Sequence, residues 1–312
     1  MRIIRDTHYM EDADRGASVA IGNFDGVHRG HQAVINIARE EARKLNCPLG
    51  IMTFEPHPRQ YFAPDAPPFR LMNAEARANR LEKIGVERLY ELNFGAALAD
   101  HSAREFAHDV IHKELGLRHV VVGADFCFGK GRTGTAADLV AFGEEFGFGV
   151  TIAPLVADAK GQFSSTNIRN ALSDGRPADA AHMLGHWHRI EGEVIRGDQR
   201  GRELGYPTAN MSIADLHPPK FGVYAVKVDV MSGPHQGTYD GAASLGVRPM
   251  FGENVPNIES YLFDFQGDLY STHLSVALVE YLRPEATFDT IDALITQMDA
   301  DCDRARKILA DV

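Results

Sequence analysis

Long apolar runs, cysteines and an excess of basic residues are all missing or scarce in this sequence. No stretch of about 18 apolar residues occurs, so no membrane-spanning helix is expected. The three cysteines, Cys47, Cys127 and Cys302, are widely spaced, which argues against a disulfide framework and a zinc site. Lysine and arginine total 32 against 43 acidic residues, and the net charge of −11 argues against a broad nucleic-acid surface.

The remaining composition is typical of an ordinary soluble protein able to bury hydrophobic cores. The 312 residues are 44% hydrophobic and 24% charged, which suits about two domains at roughly 100–200 residues each. Residues 1–14 alternate in charge and lack the apolar core of a signal peptide, so the cytoplasm is the expected compartment.

Short apolar runs alternate with helical spacing in the first half of the chain. This pattern predicts a parallel sheet with helices on both faces, because its strands are apolar throughout. Ligands on such sheets bind at the carboxyl ends of the strands, near the point where the strand order reverses. The predicted strands are residues 18–22, 49–54, 88–92, 119–123 and 150–155, and the predicted helices are residues 32–45, 75–84, 103–115 and 136–146.

The pattern changes near residue 185. Two short helices are predicted at residues 165–172 and 178–184. Glycine and proline turn signals then separate segments with strand character, which indicates an antiparallel barrel. Those segments are residues 188–195, 222–230, 237–247, 258–265 and 273–282. Apolar spacing over residues 288–309 predicts a final amphipathic helix, expected to serve in packing. We therefore place the domains at residues 1–185 and 186–312.

A glycine-rich segment, GNFDGVHRGH, runs from Gly22 to His31 and enters the first long helix. Its glycines allow a tight turn and a close approach of a ligand to the backbone. The helix N-terminus offers unpaired N–H groups to a phosphate, and His28 and His31 can face the same anion. It is neither a dinucleotide-binding GxGxxG nor a P-loop. The alternative is a glycine-rich turn with surface histidines.

Three further segments of the first half place polar groups near apparent strand ends. They are TFEPHP at residues 53–58, GADFCFG at residues 123–129 and SSTNIR at residues 164–169. The first is a stiff loop because each proline restricts its predecessor, and a structural turn is the alternative. Asp125 could orient a ligand or cap a helix. Ser165 and Thr166 are N-cap candidates, and Arg169 could meet a phosphate or form a surface salt bridge.

The second half contains a segment too polar for a core, GEVIRGDQRGRELGYPTAN at residues 192–210. Four glycines and three arginines could wrap phosphates with N–H groups and cations. The alternative is a mobile surface loop. The stiff PTAN ending argues against it, because the Thr208 hydroxyl and the Asn210 amide suit Mg²⁺ and phosphate. Further on, Glu259 alternates with Ile258 and Ser260 on a predicted strand and so faces the opposite side.

Taken together, seven ordered segments resemble motifs of the prokaryotic bifunctional riboflavin kinase/FAD synthetases, within the HxGH nucleotidyltransferase superfamily. The last two are SLGVRPMFG at residues 244–252 and the segment 257–270, NIESYLFDFQGDLY. Ser244 and Met250 stand where the family usually has asparagine and threonine. The resemblance implies an α/β Rossmann-like nucleotidyltransferase domain, followed by an antiparallel β-barrel riboflavin kinase domain with a C-terminal helix.

The activity that the resemblance implies is phosphorylation of riboflavin to FMN in the C-terminal half and adenylylation of FMN to FAD in the N-terminal half. ATP is the co-substrate of both steps and Mg²⁺ the cofactor; ADP and pyrophosphate are by-products, and neither nucleic acid nor a membrane is an expected partner. Alternatives are an enzyme with one active half, a non-catalytic flavin or nucleotide sensor, or, for the first half alone, an adenylyltransferase for another substrate.

The resemblance also implies roles for individual residues. Glu259 is the expected base of the kinase step, and His28 and His31 are the expected catalytic residues of the adenylyl step. Tyr61, Phe62 and Phe126 are candidates for flavin stacking, with core packing as the alternative. The expected phosphate-binding residues of the adenylyl site are Gly22, Phe24, Asp25, Gly26, Gly30, Ser165, Thr166 and Arg169, and its flavin or ribose contacts are His57, Asp125 and Phe126. The expected kinase-site residues are Gly197, Arg202, Gly205, Pro207, Thr208, Asn210 and Arg248, with Thr208 and Asn210 holding Mg²⁺.

Overall fold

The computed structural model describes residues 1–7, 10–155, 157–158, 161–196, 204–250 and 253–312. The chain packs into two compact units, residues 1–66 with 77–163 and residues 67–76 with 164–312. None of the helices in the described ranges has the length and apolar character that crossing a bilayer requires.

The first unit is built on a six-stranded parallel sheet in the order β1-β4-β3-β2-β5-β6. Its strands are β1 (Arg2–Ile4), β2 (Ser18–Ile21), β3 (Leu49–Glu55), β4 (Arg88–Asn93), β5 (His119–Gly123) and β6 (Gly149–Ala153). Its helices are α1 (Arg29–Leu45), α2 (Pro58–Phe62), α3 (Ala74–Lys83, whose first residues belong to the second unit), α4 (Ala96–Ala99), α5 (Ala103–Glu105) and α6 (Ala136–Phe146). Short ribbons pair Cys127–Phe128 with Gly134–Thr135 and Ala157–Asp158 with Gly161–Gln162.

The central strands are buried on both faces, as predicted from their apolar runs. Val19 and Val120 pack into one core cluster, while Ala20 and Val121 point the other way and are also fully buried. The order reverses at β2, which lies between β3 and β5. The carboxyl ends of β2 and β5 therefore define the switch point where ligands of such sheets bind.

Two elements of this unit differ from the sequence-based expectation. The edge strand β1 was not predicted, because three residues carry too little pattern. The helix predicted at residues 103–115 is a short helix, α5, that continues as a π-helical segment over Phe106–Glu114. Its buried residues, among them Phe106 and Ile111, still supply the apolar face that the spacing indicated.

The second unit is a nearly closed antiparallel barrel in the order β7-β12-β9-β10-β11-β8. An isolated antiparallel bridge, in which Ile195 N–H donates to the Asn210 carbonyl at 2.9 Å, links its two edges. The strands are β7 (His188–Glu193), β8 (Ala209–Ser212), β9 (Gly222–Val230), β10 (Gly237–Met250), β11 (Glu253–Leu262) and β12 (His273–Arg283).

Three helices belong to the barrel unit: α7 (Ser165–Ser173), α8 (Pro177–Leu184) and α9 (Ile291–Leu309). Helices α7 and α8 bury a small cluster around Leu71 and Ile168. Helix α9 begins three residues later than predicted, with the Thr290 hydroxyl accepting from the Ala293 N–H as its N-cap. Its Ala305 and Leu309 pack against the outer face of the barrel.

Candidate active sites

The first histidine of the HRGH segment caps the helix that the segment enters. His28 is the N-cap of α1, and its Nδ1 accepts a hydrogen bond from the His31 N–H at 3.3 Å. The helix thus begins at Arg29, three residues earlier than predicted. The N–H groups of Arg29 and Gly30 have no acceptor within the helix, which leaves them available for a ligand.

The two histidine rings form a stack in the first turn of α1. Their centroids lie 3.6 Å apart at an interplanar angle of 20°, and Phe24 packs against His31 at 5.2 Å. Phe24 and Val27 have left-handed φ values of 51° and 43°, unusual for such residues, and both are buried. Burial of these side chains therefore holds the turn, and any contact of Phe24 with a phosphate would come from its backbone.

Burial sets the charge of these histidines. It lowers the pKa of His28 to about 4 and, together with the neighbouring His28, lowers that of His31 well below its ordinary value. His28 is thus neutral near pH 7. Since its Nδ1 accepts the His31 N–H, we assign the proton to Nε2, which makes His28 a hydrogen-bond donor to whatever lies beyond the ring.

Gly30 leaves room for the His28 ring. A Cβ at this position would lie 3.0 Å from His28 Cε1 and 3.3 Å from the Phe163 carbonyl oxygen. The His-x-Gly-His spacing is thereby explained by packing, because a larger residue would displace the capping ring.

The flavin or ribose candidates of this unit have different environments. Asp125 follows β5, beside β2, and is exposed in a turn rather than capping a helix. Phe126 is half-buried and stacks on Phe128 at 5.4 Å. His57 caps α2, accepting from the Arg59 N–H.

Tyr61 and Phe62 are not core residues, contrary to one of the two alternatives. They are 38% and 68% exposed and form edge-to-face contacts with Phe94, with ring centroids 5.4 and 5.8 Å from that ring. An exposed aromatic cluster of this kind keeps the flavin-stacking interpretation open.

The SSTNIR segment lies in the barrel unit. The N-cap of α7 is Ser164, whose hydroxyl accepts from the Asn167 N–H, so the expectation of Ser165 or Thr166 as the cap is wrong. The cap falls one position earlier because helical geometry already begins at Ser165. Arg169 donates from Nε to the Phe69 carbonyl at 2.6 Å and stacks on that ring.

The barrel brings three polar side chains into one row. Glu259 of β11 pairs in register with Asn210 of β8 on one side and with Ser244 of β10 on the other. Directly opposed residues point to the same face. Ile258 and Ser260 alternate with Glu259 and are buried toward the barrel interior, as the alternation predicted.

A cavity of about 900 Å³ lies on the outer face of the barrel, where Glu259, Thr208 and Ser244 line it. Its other walls come from Tyr206, Tyr261, residues 285–288, and Leu294, Met298, Asp301 and Cys302 of α9. Helix α9 packs on the barrel as predicted, and it also forms one wall of this cavity. The signal was available in part, since Leu294, Met298 and Cys302 recur at helical spacing on one face.

A smaller cavity of about 260 Å³ is lined by Pro207, Thr208, Asn210 and residues 265–270. Thr208 borders both cavities. Asn210 Nδ2 donates to the Thr208 carbonyl at 3.4 Å, which orients the amide. Gly205, with a φ of 87°, provides the left-handed turn before this strand.

Some expected kinase-site residues cannot be placed. Gly197 and Arg202 lie outside the described residues. Arg248 belongs to β10, opposite Val255, but its side chain and that of Met250 lie outside the described part of the structure.

A third arrangement escaped sequence reasoning. Arg77 of α3 is 1% exposed and donates from Nη2 to Glu55 and to Glu91, at 3.0 Å each. Its charge and its place in a polar helix favoured a surface position. No local signal could have revealed partners that lie 22 and 14 residues away.

A parallel sheet with a His-x-Gly-His turn at its switch point, followed by a barrel with an acid-lined cavity, defines a two-domain transferase that uses nucleotides. A family model described as FAD synthetase matches residues 10–167, and one described as riboflavin kinase matches residues 184–309. These two matches cover both halves of the chain in the expected order.

Whole-chain similarities agree with this class. A curated relative from Pseudomonas fluorescens, named bifunctional riboflavin kinase/FMN adenylyltransferase, is 39% identical over 311 residues, 99% of this chain and 98% of the relative. One of the same name from Escherichia coli K12 is 37% identical, covering 96% of each chain. A solved structure from Streptococcus pneumoniae, described as a macrolide-efflux protein, has a TM-score of 0.81 and 34% identity, covering 96% of each chain. The chain belongs to the bifunctional riboflavin kinase/FMN adenylyltransferase family.

Proposed function

We propose that this enzyme phosphorylates riboflavin to FMN in its barrel unit and adenylylates FMN to FAD at the switch point of its parallel sheet, with ATP as the co-substrate of both steps. The observation that carries the proposal is that both halves match their family models over nearly their full length. Neither a single active half nor a non-catalytic sensor has an observation in its favour.

In the kinase step, Glu259 takes the proton of the riboflavin 5′-hydroxyl. The hydroxyl oxygen then forms a bond to the γ-phosphorus of ATP while the bond to ADP breaks. The half-buried carboxylate lines the larger cavity, and Thr208 borders both that cavity and the smaller one. This placement suits a flavin in the larger space and the phosphates of ATP toward the smaller one.

Mg²⁺ fits the donor set at this position. The Thr208 hydroxyl and the Asn210 amide oxygen are hard oxygen ligands, and Glu259 stands in register beside Asn210. When bound with ATP, the ion would neutralise charge on the phosphates. The protein groups would hold the nucleotide, orient the alcohol and accept its proton.

In the adenylyl step, an oxygen of the FMN phosphate forms a bond to the α-phosphorus of ATP and pyrophosphate leaves. FMN is already anionic, so no strong base is needed. Donation from His28 Nε2 and from the first N–H groups of α1 would stabilise charge on the departing pyrophosphate. An anion bound there would also raise the pKa of both histidines and favour their charged form.

The remaining assignments extend this picture. Ser165, Thr166 and Arg169 would bind phosphates, and His57, Asp125 and Phe126 would contact flavin or ribose. Tyr61 and Phe62, exposed beside Phe94, are suited to stack on an isoalloxazine ring. The assignment of adenylylation to residues 1–185 and of phosphorylation to residues 186–312 remains a prediction, and so does the cytoplasmic location.

One assay tests the function. Riboflavin with Mg-ATP is followed by HPLC, with FMN plus Mg-ATP as a parallel reaction. Sequential appearance of FMN and then FAD is expected. Accumulation of FMN would indicate a dead adenylyl half, and FAD from added FMN alone would indicate a dead kinase half. Flavin binding without turnover in either reaction would favour a sensor.

A further inference from the structure

A buried arginine contacts three neighbouring strands of the first unit, or the turn that follows one of them, near their carboxyl ends. Arg77 Nη2 lies 3.0 Å from a carboxylate oxygen of Glu55 and 3.0 Å from one of Glu91. Its Nη1 lies 3.4 Å from the carbonyl oxygen of Asn23. Glu55 ends β3, Glu91 belongs to β4, and Asn23 lies in the turn that follows β2.

Two of these contacts fall on segments that carry the adenylyl site. The Asn23 carbonyl precedes Phe24, the first of the two left-handed residues in the turn before His28. It also accepts from the buried Thr53 hydroxyl at 3.3 Å. Glu55 leads directly into the Pro56-His57 loop. The position of Arg77 therefore controls where two site segments leave the sheet.

The third contact serves a different purpose. Glu91 is buried, and its other oxygen accepts from Arg5 at 2.8 Å, so this carboxylate is also paired with the residue that follows β1 by one position. It touches neither the turn nor the loop in the contacts described for it. Glu91 thus offers a way to disturb the same buried cluster without removing the Arg77 contacts to Asn23 and Glu55.

A buried ion pair is often no more stabilising than a well-packed apolar side chain of similar size. A planar guanidinium, however, can reach three acceptors in a fixed geometry, which the single ammonium of lysine cannot. The value of arginine at this position is geometric, because it fixes three strand ends relative to one another.

We propose that Arg77 is a positioning residue of the adenylyl-transfer site, which holds the Asn23 turn and the Glu55 loop so that His28 meets the departing pyrophosphate. This inference rests on the assignment of adenylyl transfer to the His28 turn. A displacement of about 1 Å in a catalytic group can cost up to about 10² in rate, which sets the scale of the expected effect.

The test compares Arg77→Met, Arg77→Lys and Glu91→Gln in the full-length chain. Steady-state kcat and KM are measured for FMN adenylylation. In the same samples, circular dichroism and urea unfolding report whether the sheet unit is folded, and riboflavin phosphorylation reports whether the barrel unit is. Arg77→Met should lower kcat for adenylylation by about tenfold to a hundredfold. Arg77→Lys should recover part of that loss, and Glu91→Gln should stay within about threefold of the wild type.

Several outcomes decide the matter. Equal loss of adenylylation in Arg77→Met and Glu91→Gln would show that Arg77 acts only through stability, and so would a loss that vanishes once rates are corrected for the folded fraction. If Arg77→Met does not fold, an unchanged kcat in Arg77→Lys overturns the proposal. His28→Asn serves as the reference: wild-type adenylylation in that variant would instead overturn the assignment of the site.

Discussion

The two sites of this protein are built in opposite ways. In the sheet unit the two candidate histidines come from one contiguous turn, and they are buried at the start of a helix, where burial lowers the pKa of both. In the barrel unit Glu259, Asn210 and Ser244 come from three separate strands; Glu259 and Ser244 line a cavity bordered by the distant helix α9, and Asn210 lines the smaller cavity. The first proposed site draws on backbone N–H groups and local packing, and the second on the register of paired strands.

This difference follows from the two reactions. Adenylyl transfer starts from a phosphate that is already a nucleophile, so donors that stabilise developing charge are sufficient. Phosphorylation of an alcohol is aided by a base, and the proposed base, Glu259, lines the larger cavity of the barrel unit. Variants that abolish one reaction and leave the other unchanged would support two separate sites, and variants that abolish both in a folded protein would contradict them.

The largest effect is expected for Glu259→Gln. Loss of the base should lower FMN formation by about 10²–10⁴ while conversion of FMN to FAD stays unchanged, because the amide keeps the shape but cannot accept the proton. HPLC of both reactions measures this. The matched control is Glu280→Gln, an exposed strand glutamate of β12. A parallel loss of both activities in folded Glu259→Gln would contradict separate sites.

His28→Asn should do the reverse. Asparagine is a good N-cap and keeps an acceptor for the His31 N–H, but it lacks the ring and its Nε2 donor. Loss of one such donor costs about 10²–10³ in rate, so FAD formation from FMN should fall by that factor with kinase activity retained. The exposed His112, changed to alanine, is the control. Undiminished FAD formation would remove His28 from the reaction.

The sequence predicts the candidate site of the sheet unit more completely than that of the barrel unit, because the histidines of the first lie close together in sequence and the groups of the second do not. The HRGH turn carries its glycine, its cap and its histidines within four residues, so spacing alone placed His28 and His31 together. The fold of the barrel also followed from its turn signals. Strand β8, however, begins within the PTAN segment that was interpreted as a stiff turn, because its strand geometry comes from pairing with β11 and not from local propensity.

The cavity walls were the least predictable part. Cys302 and Met298 line the same cavity as Glu259, and the spacing of apolar residues in α9 predicts a buried face but not the strand that this face meets. Arg77 illustrates the same limit in the sheet unit, since its burial depends on carboxylates from two other strands. Contacts made across long sequence separations are the ones that spacing cannot reveal.

Acid should distinguish the neutral histidines from the rest of the molecule. Burial lowers the pKa of His28 from 6.5 to about 4. Between those values the unfolded chain binds a proton that the folded chain does not. The free energy of unfolding therefore carries no penalty from His28 above pH 6.5 and decreases as the pH falls toward 4. At about 1.4 kcal/mol per pKa unit, acidification from pH 6.5 to 4 should remove roughly 3 kcal/mol of unfolding free energy through His28.

Urea unfolding of the wild type and of His28→Asn, across this pH range, measures the effect. The variant should lose less stability on acidification, because asparagine does not titrate. Part of the acid sensitivity should remain, since burial also lowers the pKa of His31 and lowers that of His188 in the barrel unit to about 3. If the unfolding free energy falls equally steeply with decreasing pH in the wild type and the variant, His28 is not buried as a neutral ring.

The smallest effect is expected for the contact between Tyr206 and helix α9, both of which border the larger cavity of the barrel unit. The Tyr206 hydroxyl donates to Asp299 of α9, and this bond raises the pKa of the tyrosine. Tyr206→Phe removes the bond but keeps the ring that packs on Tyr261. Because a single partly exposed hydrogen bond contributes about 1 kcal/mol, KM for riboflavin should rise by roughly threefold to fivefold with little change in kcat. The control is Tyr239→Phe. The Tyr239 hydroxyl donates to the His235 carbonyl away from the cavity, so its removal should leave KM for riboflavin unchanged. If Tyr206→Phe instead lowers kcat and leaves KM unchanged, the hydrogen bond to α9 affects the catalytic step and not riboflavin binding.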